Sequence, residues 1–427
     1  MRIIVFGDDK MRKMIDSGIA WIGQIPDDWH IWPTKRFFRH TKTLAGEQVD
    51  LYERLALTMN GVIKRSKDDS EGLQPERFDT YQVLRENELV FKLIDLANVK
   101  TSRVGLSPYT GIVSPAYIIL TNDNKDNRFY YYYFISMYYN EIFNNLGDNG
   151  VRSSLNAQDL LNIPMVDIPR YLQKRIADFL DEKCGKIDRY IEKQQQIIEK
   201  LKAYKQSVIT EAVTKGLNPN VPMKDSGIEW IGMIPEHWEI CKFGHIASVK
   251  SNLVPPQRYK YYPQVSSENI QKNSGKLLAC KTVDETGIIS DNHLFFKGQI
   301  LYSKIRPALN KATIAPFDGL CSADIYPIET NDNSRFLLYM ILSESFLAQV
   351  KMITENRVKM PKINRSELNG IFVVNLPYDE QEQIVTFLDE KCSAIDQEVS
   401  NREFIVGKLE EYKKSLIYEA VTGKLEV

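Results

Sequence analysis

The stretch FLDEKCGKIDRYIEKQQQIIEKLKAYKQSVITEAVTKGL, residues 179–217, recurs as FLDEKCSAIDQEVSNREFIVGKLEEYKKSLIYEAVTGKL, residues 387–425. About half of the aligned positions are identical, at an offset of 208 residues. A second pair precedes these stretches, because DSGIAWIGQIPDDW (16–29) returns as DSGIEWIGMIPEHW (225–238). We call this second pair the WIG segments. Two motifs that recur in the same order at nearly the same offset predict a tandem duplication of the whole chain.

Each repeated tail places apolar residues at alternating steps of four and three, which is the pattern of a coiled-coil seam. Residues 170–217 carry 11 basic and 7 acidic side chains, whereas residues 380–427 carry 6 basic and 11 acidic. Opposite net charges favour pairing of the two helices with each other, and the short linker between them favours an antiparallel pair. The predicted seam consists of Leu180, Ile187, Ile191, Ile198, Leu201, Leu388, Ile395, Val399, Val406 and Leu409.

Two polar residues, Gln194 and Arg402, interrupt the seam at equivalent positions of the repeat. We interpret them as residues that control the register or face solvent. A contact with a partner subunit is the alternative.

The repeat predicts an α+β fold, in which two α/β domains in tandem are joined by two long helices. These helices form an antiparallel coiled coil, and the whole is pseudo-two-fold symmetric. Within the domains, β-rich runs such as GIVSPAYIIL (111–120) and GLCSADIYPI (319–328) alternate with turn signals. One amphipathic helix per domain is expected, near 128–145 and near 335–351. The predicted boundaries are an N-terminal extension at 1–15, a first domain with its WIG segment at 16–168, a central spacer helix at 169–215, a linker at 216–224, a second domain with its WIG segment at 225–376, and a C-terminal spacer helix at 377–427.

The composition excludes several classes of protein. A net charge of −1 excludes a uniformly basic DNA coat, although it allows a local basic face. Five cysteines without a CxxC pair are typical of the reducing cytoplasm, where we expect the protein to act. The sequence contains no apolar run near the roughly 20 residues of a membrane span, so we expect no membrane association.

Sequence motifs of enzymes are absent as well. The chain has no GxxxxGK[ST] phosphate loop, no GxG dinucleotide turn, no HExxH and no GxSxG. The sequence therefore predicts a binding protein without catalysis and without a metal site. Two similar domains at a fixed separation suit a long, repetitive target, and DNA is the expected one. The four tryptophans of the WIG segments are interpreted as apolar anchors between domain and helix, with stacking on nucleic acid as the alternative.

The WIG segments, the helix starts QKRIADFLDEKC and EQEQIVTFLDEKC, and the helix ends LKAYKQSVITEAVTKGL and LEEYKKSLIYEAVTGKL resemble the specificity subunit of Type I restriction–modification enzymes. The resemblance extends from Asp16 to the end of the chain. Members of that family commonly begin close to the DSG motif, so the resemblance predicts that residues 1–13 precede the usual start, at Met11 or Met14. The variable domains match the family only weakly.

The resemblance implies two target-recognition domains, each of which reads one half of a bipartite site in double-stranded DNA. The helices set the spacing and dock two modification subunits, which bind S-adenosylmethionine and methylate adenine. Restriction subunits can join the complex and add ATP- and Mg-dependent translocation and cleavage. This chain itself would bind none of these cofactors. A coiled-coil scaffold whose end domains bind proteins is the alternative.

Basic residues in the variable stretches are the candidates for DNA contact, because Lys and Arg bind phosphates or read guanine. For any single one of them a solvated surface charge is the alternative. The candidates in the first domain are Lys92, Lys100, Arg103 and Arg152, with Ser153 beside the last. The candidates in the second domain are Lys304, Arg306, Lys311, Arg357, Lys359 and Lys362.

Overall fold

The structure is a computed structural model, which describes residues 12–59, 61–69, 77–94, 96, 103–146, 154–357 and 360–427. The chain divides into two compact units. Unit 1 is formed by Met1–Lys193 and Ile405–Val427, and unit 2 by Gln194–Phe404. Each unit therefore combines one predicted domain with a segment of both long helices.

The described elements of unit 1 comprise short strands, three helices within the domain and the start of a long helix. The strands are β1 (Met14–Asp16), β2 (Gln24–Pro26), β3 (His30–Pro33), β4 (Arg39–His40), β5 (Arg54–Thr58), β6 (Gly61–Arg65), β7 (Gln82–Leu84), β8 (Leu89–Phe91), β9 (Val104–Leu106), β10 (Gly111–Val113), β11 (Ile118–Thr121) and β12 (Pro164–Asp167). The helices are α1 (Asn127–Tyr139), α2 (Ile142–Leu146), α3 (Ala157–Asn162) and α4 (Arg170–Lys215), with 3-10 turns at Thr34–Arg36 and Gly46–Leu51.

Unit 2 continues α4 and repeats this order. The strands are β13 (Met223–Asp225), β14 (Met233–Pro235), β15 (Glu239–Lys242), β16 (Ala247–Val249), β17 (Leu253–Val254), β18 (Pro263–Val265), β19 (Lys281–Thr282), β20 (Asn292–Phe295), β21 (Ile300–Ser303), β22 (Ala312–Ile314), β23 (Gly319–Cys321), β24 (Ile325–Thr330) and β25 (Phe372–Asn375). The helices are α5 (Phe243–Ile246), α6 (Val283–Thr286), α7 (Ser334–Leu342), α8 (Glu344–Thr354), α9 (Arg365–Asn369) and α10 (Tyr378–Val421), with 3-10 turns at Pro256–Tyr259, Ser267–Asn269 and Pro307–Leu309.

The two units share one sheet topology. In unit 1 the sheets have the orders β4-β11-β8-β9 and β6-β5-β10-β7, and in unit 2 they have the orders β16-β24-β21-β22 and β19-β18-β23-β20-β17. One strand pair in each unit is parallel, with Ile112 opposite Arg54 and Gln264 opposite Leu320. The two-stranded pairs β1-β2 and β13-β14 also correspond, as do β12-β3 and β25-β15. The duplication in the sequence is therefore a duplication of the fold.

Two of the hydrophobic cores among the described residues of each unit hold its layers together. A smaller core lies between the two sheets, where strands with alternating apolar residues turn one face inward. A larger core packs the domain helices against the long helices, and includes Tyr130 and Tyr133 in unit 1. The run of four tyrosines at 130–133 therefore packs α1 against its neighbours. Burial, followed by the effect of Tyr139, raises the pKa of Tyr131 in the same run to about 12.

The single amphipathic helix predicted for each domain is wrong in detail, because each is two helices. In unit 1 the chain turns between α1 and α2 at Glu141, which has a φ of +56°. In unit 2 the break is at Ser343, whose backbone is extended and whose hydroxyl accepts the N–H of Phe346 at the start of α8. A serine can end one helix and cap the next while the apolar residues on both sides keep helical spacing. Apolar spacing alone therefore does not indicate this break.

Within each unit, segments of α4 and α10 pack antiparallel along the predicted seam. In unit 1, Leu180 and Ile187 share a core with Leu416 and Ala420. In unit 2, Ile198 packs with Ile395 and Val399, and Leu201 lies against them. The remaining seam residues are buried at Leu388 and half-buried at Ile191, Val406 and Leu409.

Ion pairs between the helices follow the repeat. Asp396 accepts from Lys205 at 2.8 Å in unit 2, and the equivalent Asp188 accepts from Lys413 at 2.7 Å in unit 1. Each long helix supplies the lysine of one pair and the aspartate of the other, so these pairs follow the repeat and not the difference in net charge. The polar residues of the seam bond to each other, because Arg402 Nη1 donates to Gln194 Oε1 at 2.8 Å. This bond supports the interpretation that they control the register.

Candidate nucleic-acid interface

An acidic residue on each long helix anchors the domain helix that packs on it. In unit 1, Arg128 Nη1 lies 2.8 Å from Asp181, whose other oxygen accepts from Tyr132 Oη at 2.8 Å. In unit 2, Asp389 accepts from Arg335 and, at 2.6 Å, from Tyr339 Oη. Burial first, and then donation to the carboxylate, raises the pKa of both tyrosines. Each domain is therefore held on its long helix by the same contacts.

A buried glutamine at the start of each long helix completes the joint. Gln173 Oε1 accepts the backbone N–H of Asp126, and its Nε2 donates to Ile168 O at 2.7 Å. Gln381 makes the equivalent bonds to the N–H of Asn333 and to Leu376 O. Both glutamines are almost fully buried, so each fixes the N-cap region of a domain helix relative to the long helix.

The WIG segments pack against the glycines that end the long helices. In unit 1, a Cβ on Gly423 would lie 2.6 Å from Pro26 and 2.9 Å from Trp29. In unit 2, a Cβ on Gly216 would lie 3.2 Å from Trp238. Trp29 and Trp238 are buried and anchor each domain on a helix end, whereas Trp230 is 41% exposed. The segment occurs twice because two helix ends must be covered.

Four of the candidate basic residues in unit 2 lie in segments that converge. An isolated β-bridge pairs Ile305 with Lys362, and the N–H of Arg306 donates to Pro361 O at 2.8 Å. Lys304, Arg306 and Lys362 therefore belong to one exposed or half-buried cluster. The Arg306 side chain has no hydrogen bond or ion pair among the residues that the structure describes. Its backbone is left-handed, with a φ of +45°.

Arg357 reaches the same cluster but has an acidic partner. Its Nη2 lies 2.5 Å from Glu367 Oε1, and its Nη1 donates to Lys362 O. Donation from Arg357 holds the pKa of Glu367 below its usual value. Glu367 also caps α9 by accepting the N–H of Asn364. Arg357 therefore braces the segment that carries Lys362.

Two candidates occupy equivalent positions immediately before the second strand of a hairpin, and both face inward. Lys311, before β22, donates its Nζ to Ser267 O at 2.5 Å. Arg103, before β9, is 1% exposed and donates to Leu96 O at 3.2 Å. The Arg103 guanidinium therefore lies inside the domain, and its role as a DNA contact stays a prediction.

Among the other candidates of unit 1, the structure describes Lys92 alone. Lys92 follows β8 and is half-buried, and its N–H donates to Arg103 O at 3.0 Å. Lys100, Arg152 and Ser153 lie outside the described residues, as does Lys359 in unit 2. The described candidates therefore form a cluster only in unit 2.

Sequence reasoning missed the acidic member of this cluster, Asp324. Its Oδ1 lies 3.2 Å from Lys362 Nζ and 3.8 Å from Lys304 Nζ. His293 is also near, and burial first, then the charge of Lys304, lowers its pKa. Asp324 sits in a turn far from Lys362 in sequence, so no spacing pattern connects them.

The described residues contain no group of three or more His, Cys, Asp or Glu side chains placed to hold a metal ion. Across the same residues, no single helix has the length and apolar character to cross a membrane. One bent pair, α7 with α8, reaches that length and composition only when both helices are taken together.

Comparison with known proteins gives three informative similarities and one family match. The family described as Type I restriction modification DNA specificity domain matches residues 235–402. The Type I restriction enzyme EcoDI specificity subunit of Escherichia coli is 31% identical over 271 residues, which are 59% of this chain and 60% of that protein. The matched region thus spans about 60% of the relative's length.

The other two similarities extend over nearly the whole chain. A protein of Methanocaldococcus jannaschii with the provisional name type I restriction enzyme MjaX specificity subunit is 22% identical over 95% of this chain and 96% of its own. A chain from a structural study of complex assembly and conformational transition of the type I R-M system covers 94% of this chain and 99% of its own. It has a TM-score of 0.67 and 13% identity, which establishes a common fold.

The family match lies within unit 2, and the structural similarity establishes a shared fold over most of the chain. The chain is thus similar to specificity subunits of type I restriction–modification enzymes. This confirms the resemblance drawn from the WIG segments and the repeated helix motifs.

Proposed function

We propose that this chain is the DNA-reading subunit of a type I restriction–modification complex, in which each unit reads one half of a bipartite site. One observation carries the proposal. The same two-sheet domain is fixed to a long helix by the same contacts in both units, and residues 235–402 match a DNA specificity domain. The two domains are attached to their helices by the same contacts but carry different loop residues. This arrangement suits two domains that recognise different DNA sequences.

The proposed role includes no catalysis by this chain. Two modification subunits would dock on the helices and supply S-adenosylmethionine-dependent methylation of adenine. Restriction subunits would bring the use of ATP and Mg. The helix pair would set the number of unspecified base pairs between the half-sites, and the complex would act on cytoplasmic DNA.

The cluster of Lys304, Arg306 and Lys362 is the proposed DNA contact of unit 2. Arg306 is the strongest member, because its guanidinium is exposed and carries no partner among the described residues. Arg357 would act indirectly, by holding the loop through Glu367. Lys311 and Arg103 would stabilise their hairpins.

Selection of duplexes from a random library tests the proposal. The full chain, assembled with the modification subunit of its own system, should enrich a two-part motif with a fixed gap. Arg306→Ala should weaken binding and reduce the slope of log affinity against log salt by about one if it removes one phosphate contact. Lys281→Ala, which removes an exposed charge on β19, is the matched control. Enrichment of no motif by an intact complex would favour a protein-binding scaffold instead.

A further inference from the structure

Three segments of unit 2 are hydrogen-bonded into one framework around the Asp324 turn. The N–H of Lys304 donates to Asp324 O at 2.9 Å, and the N–H of Ile363 donates to Lys304 O at 3.0 Å. Arg306 joins the same framework through Pro361. Hydrogen bonds to neighbouring segments therefore hold the backbone that carries the basic side chains of this cluster.

The carboxylate of Asp324 lies between two ammonium groups. Lys362 Nζ is the nearer, at 3.2 Å, and Lys304 Nζ is 3.8 Å away and also donates to Ala323 O at 2.7 Å. The side chains of Asp324 and Lys362 are 35% and 49% exposed, so solvent and ligands reach both. Arg306 lies on the adjoining backbone, so the cluster contains three basic side chains and one acidic side chain.

The neighbouring groups do not cancel this excess. Arg357 and Glu367 neutralise each other. Burial and the charge of Lys304 lower the pKa of His293, which keeps its imidazole neutral near pH 7. The ring of Tyr326 lies 5.3 Å from Lys304 Nζ, and this cation–π contact holds the ammonium group in its position. The cluster therefore has a net positive charge, and the carboxylate of Asp324 lies within it.

The left-handed backbone of Arg306 is a second, independent observation. A non-glycine residue at a φ of +45° is uncommon, and such strain concentrates at ligand-binding sites. Here the N–H of Arg306 is fixed by Pro361 while its guanidinium remains unpaired among the described residues. Arg306 thus has a strained backbone in the segment that pairs with the segment carrying Lys362.

We propose that Lys304, Arg306 and Lys362 form a binding site for one phosphate of the DNA backbone, and that Asp324 occupies this site when DNA is absent. The inference rests on the proposed function and adds a role for an acidic residue. On binding, the phosphate replaces the carboxylate at Lys362 and gains Arg306. Asp324 thereby lowers affinity for every duplex, which limits sequence-independent binding.

Asp324→Asn tests the proposal because it keeps the shape of the side chain and removes the competing charge. Binding of the full chain, with its modification subunit, to a fluorescent random-sequence duplex is measured over a series of salt concentrations. The variant should bind about fivefold more tightly than wild type, as expected for one charge contact near the surface. Asp284→Asn on α6 is the charge-matched control and should change affinity less than twofold.

A double-mutant cycle with Lys362→Gln separates a defined site from a general effect of charge. Lys362→Gln alone should weaken binding and reduce the salt slope by about one. In that background, Asp324→Asn should lose most of its fivefold gain. Thermal unfolding of each variant monitors folding, and Arg306→Ala provides a second background if Lys362→Gln unfolds.

Three results would overturn the inference. They are unchanged or weaker binding by Asp324→Asn, an equal gain from Asp284→Asn, and a full gain in the Lys362→Gln background. These results differ from failure of the proposed function, in which the folded wild-type complex would bind no duplex at all.

Discussion

Unit 1 and unit 2 use the same contacts at the joint between domain and helix, but they differ in the hairpin loops. Asp181 and Asp389 receive the same arginine and tyrosine donors. The cation before the second hairpin strand faces inward in both units, at Arg103 and Lys311, but the hairpin of unit 2 also presents Arg306 on its surface. The comparison teaches that the duplication has kept what orients each domain and changed what each domain presents.

The largest expected effect comes from the buried tryptophans of the WIG segments. Trp238→Ala should lower the free energy of unfolding of unit 2 by about 3–5 kcal/mol, because it leaves a large cavity at the helix end. Trp29→Ala should do the same in unit 1. Urea unfolding measures the loss, and hydrogen exchange assigns it to a unit. A loss as large from Trp230→Ala, at a 41% exposed position, would contradict this interpretation.

Replacing Trp238 or Trp29 by phenylalanine compares the two units in the hydrogen bond of the indole N–H. Trp238 Nε1 donates to Glu380 at 2.9 Å, whereas Trp29 Nε1 has no acceptor within the described part of the chain. Trp238→Phe should therefore cost about 1 kcal/mol more than Trp29→Phe. Equal losses would show that the bond to Glu380 contributes nothing to stability.

The glycines at the two helix ends should give an intermediate effect. Gly423→Ala adds a Cβ at 2.6 Å from Pro26 and forces alanine to a φ of +73°. It should cost about 2–4 kcal/mol, against about 1–2 kcal/mol for Gly216→Ala, where the nearest atom is 3.2 Å away. Thermal unfolding of both variants measures the difference. A larger loss at Gly216 would contradict the closer packing in unit 1.

The smallest effect concerns the matched ion pairs of the helices. Asp396 accepts from both Lys205 and Lys276, whereas Asp188 pairs with Lys413 and is 55% exposed. Burial of Asp396 opposes its ionisation, but the two lysines outweigh burial and hold its pKa below the usual 3.8. Asp396→Asn should cost about 1–2 kcal/mol at pH 7, and Asp188→Asn less than about 1 kcal/mol.

The pH dependence of the stability difference between wild type and Asp396→Asn tests whether the ion pairs of Asp396 cause it. Since the folded pKa of Asp396 is depressed, its contribution is complete above about 3.8 and is lost as pH falls through the lower folded value. Wild type and Asp396→Asn should therefore converge in stability at low pH, as measured by urea unfolding. A difference that persists well below pH 3.8 would point to packing as the cause.

The sequence predicted the elements whose pattern repeats and missed those that depend on distant partners. Apolar spacing gave the seam because a helix places every third or fourth residue on one face. The break at Ser343 was missed because a cap leaves the apolar period intact. The burial of Arg103 and the position of Asp324 could not be predicted, since both depend on how separate loops meet in the folded domain.

Mapping of methyladenine tests the central claim most directly. The chain and its modification subunit are expressed in a host that lacks DNA methylation, and methylated adenines are located across the genome. We predict a single two-part motif with a fixed unspecified gap, and fewer methylated sites with Arg306→Ala. A continuous motif, or no methylation by a partner shown to bind both this chain and S-adenosylmethionine, would contradict the claim that two units read two half-sites.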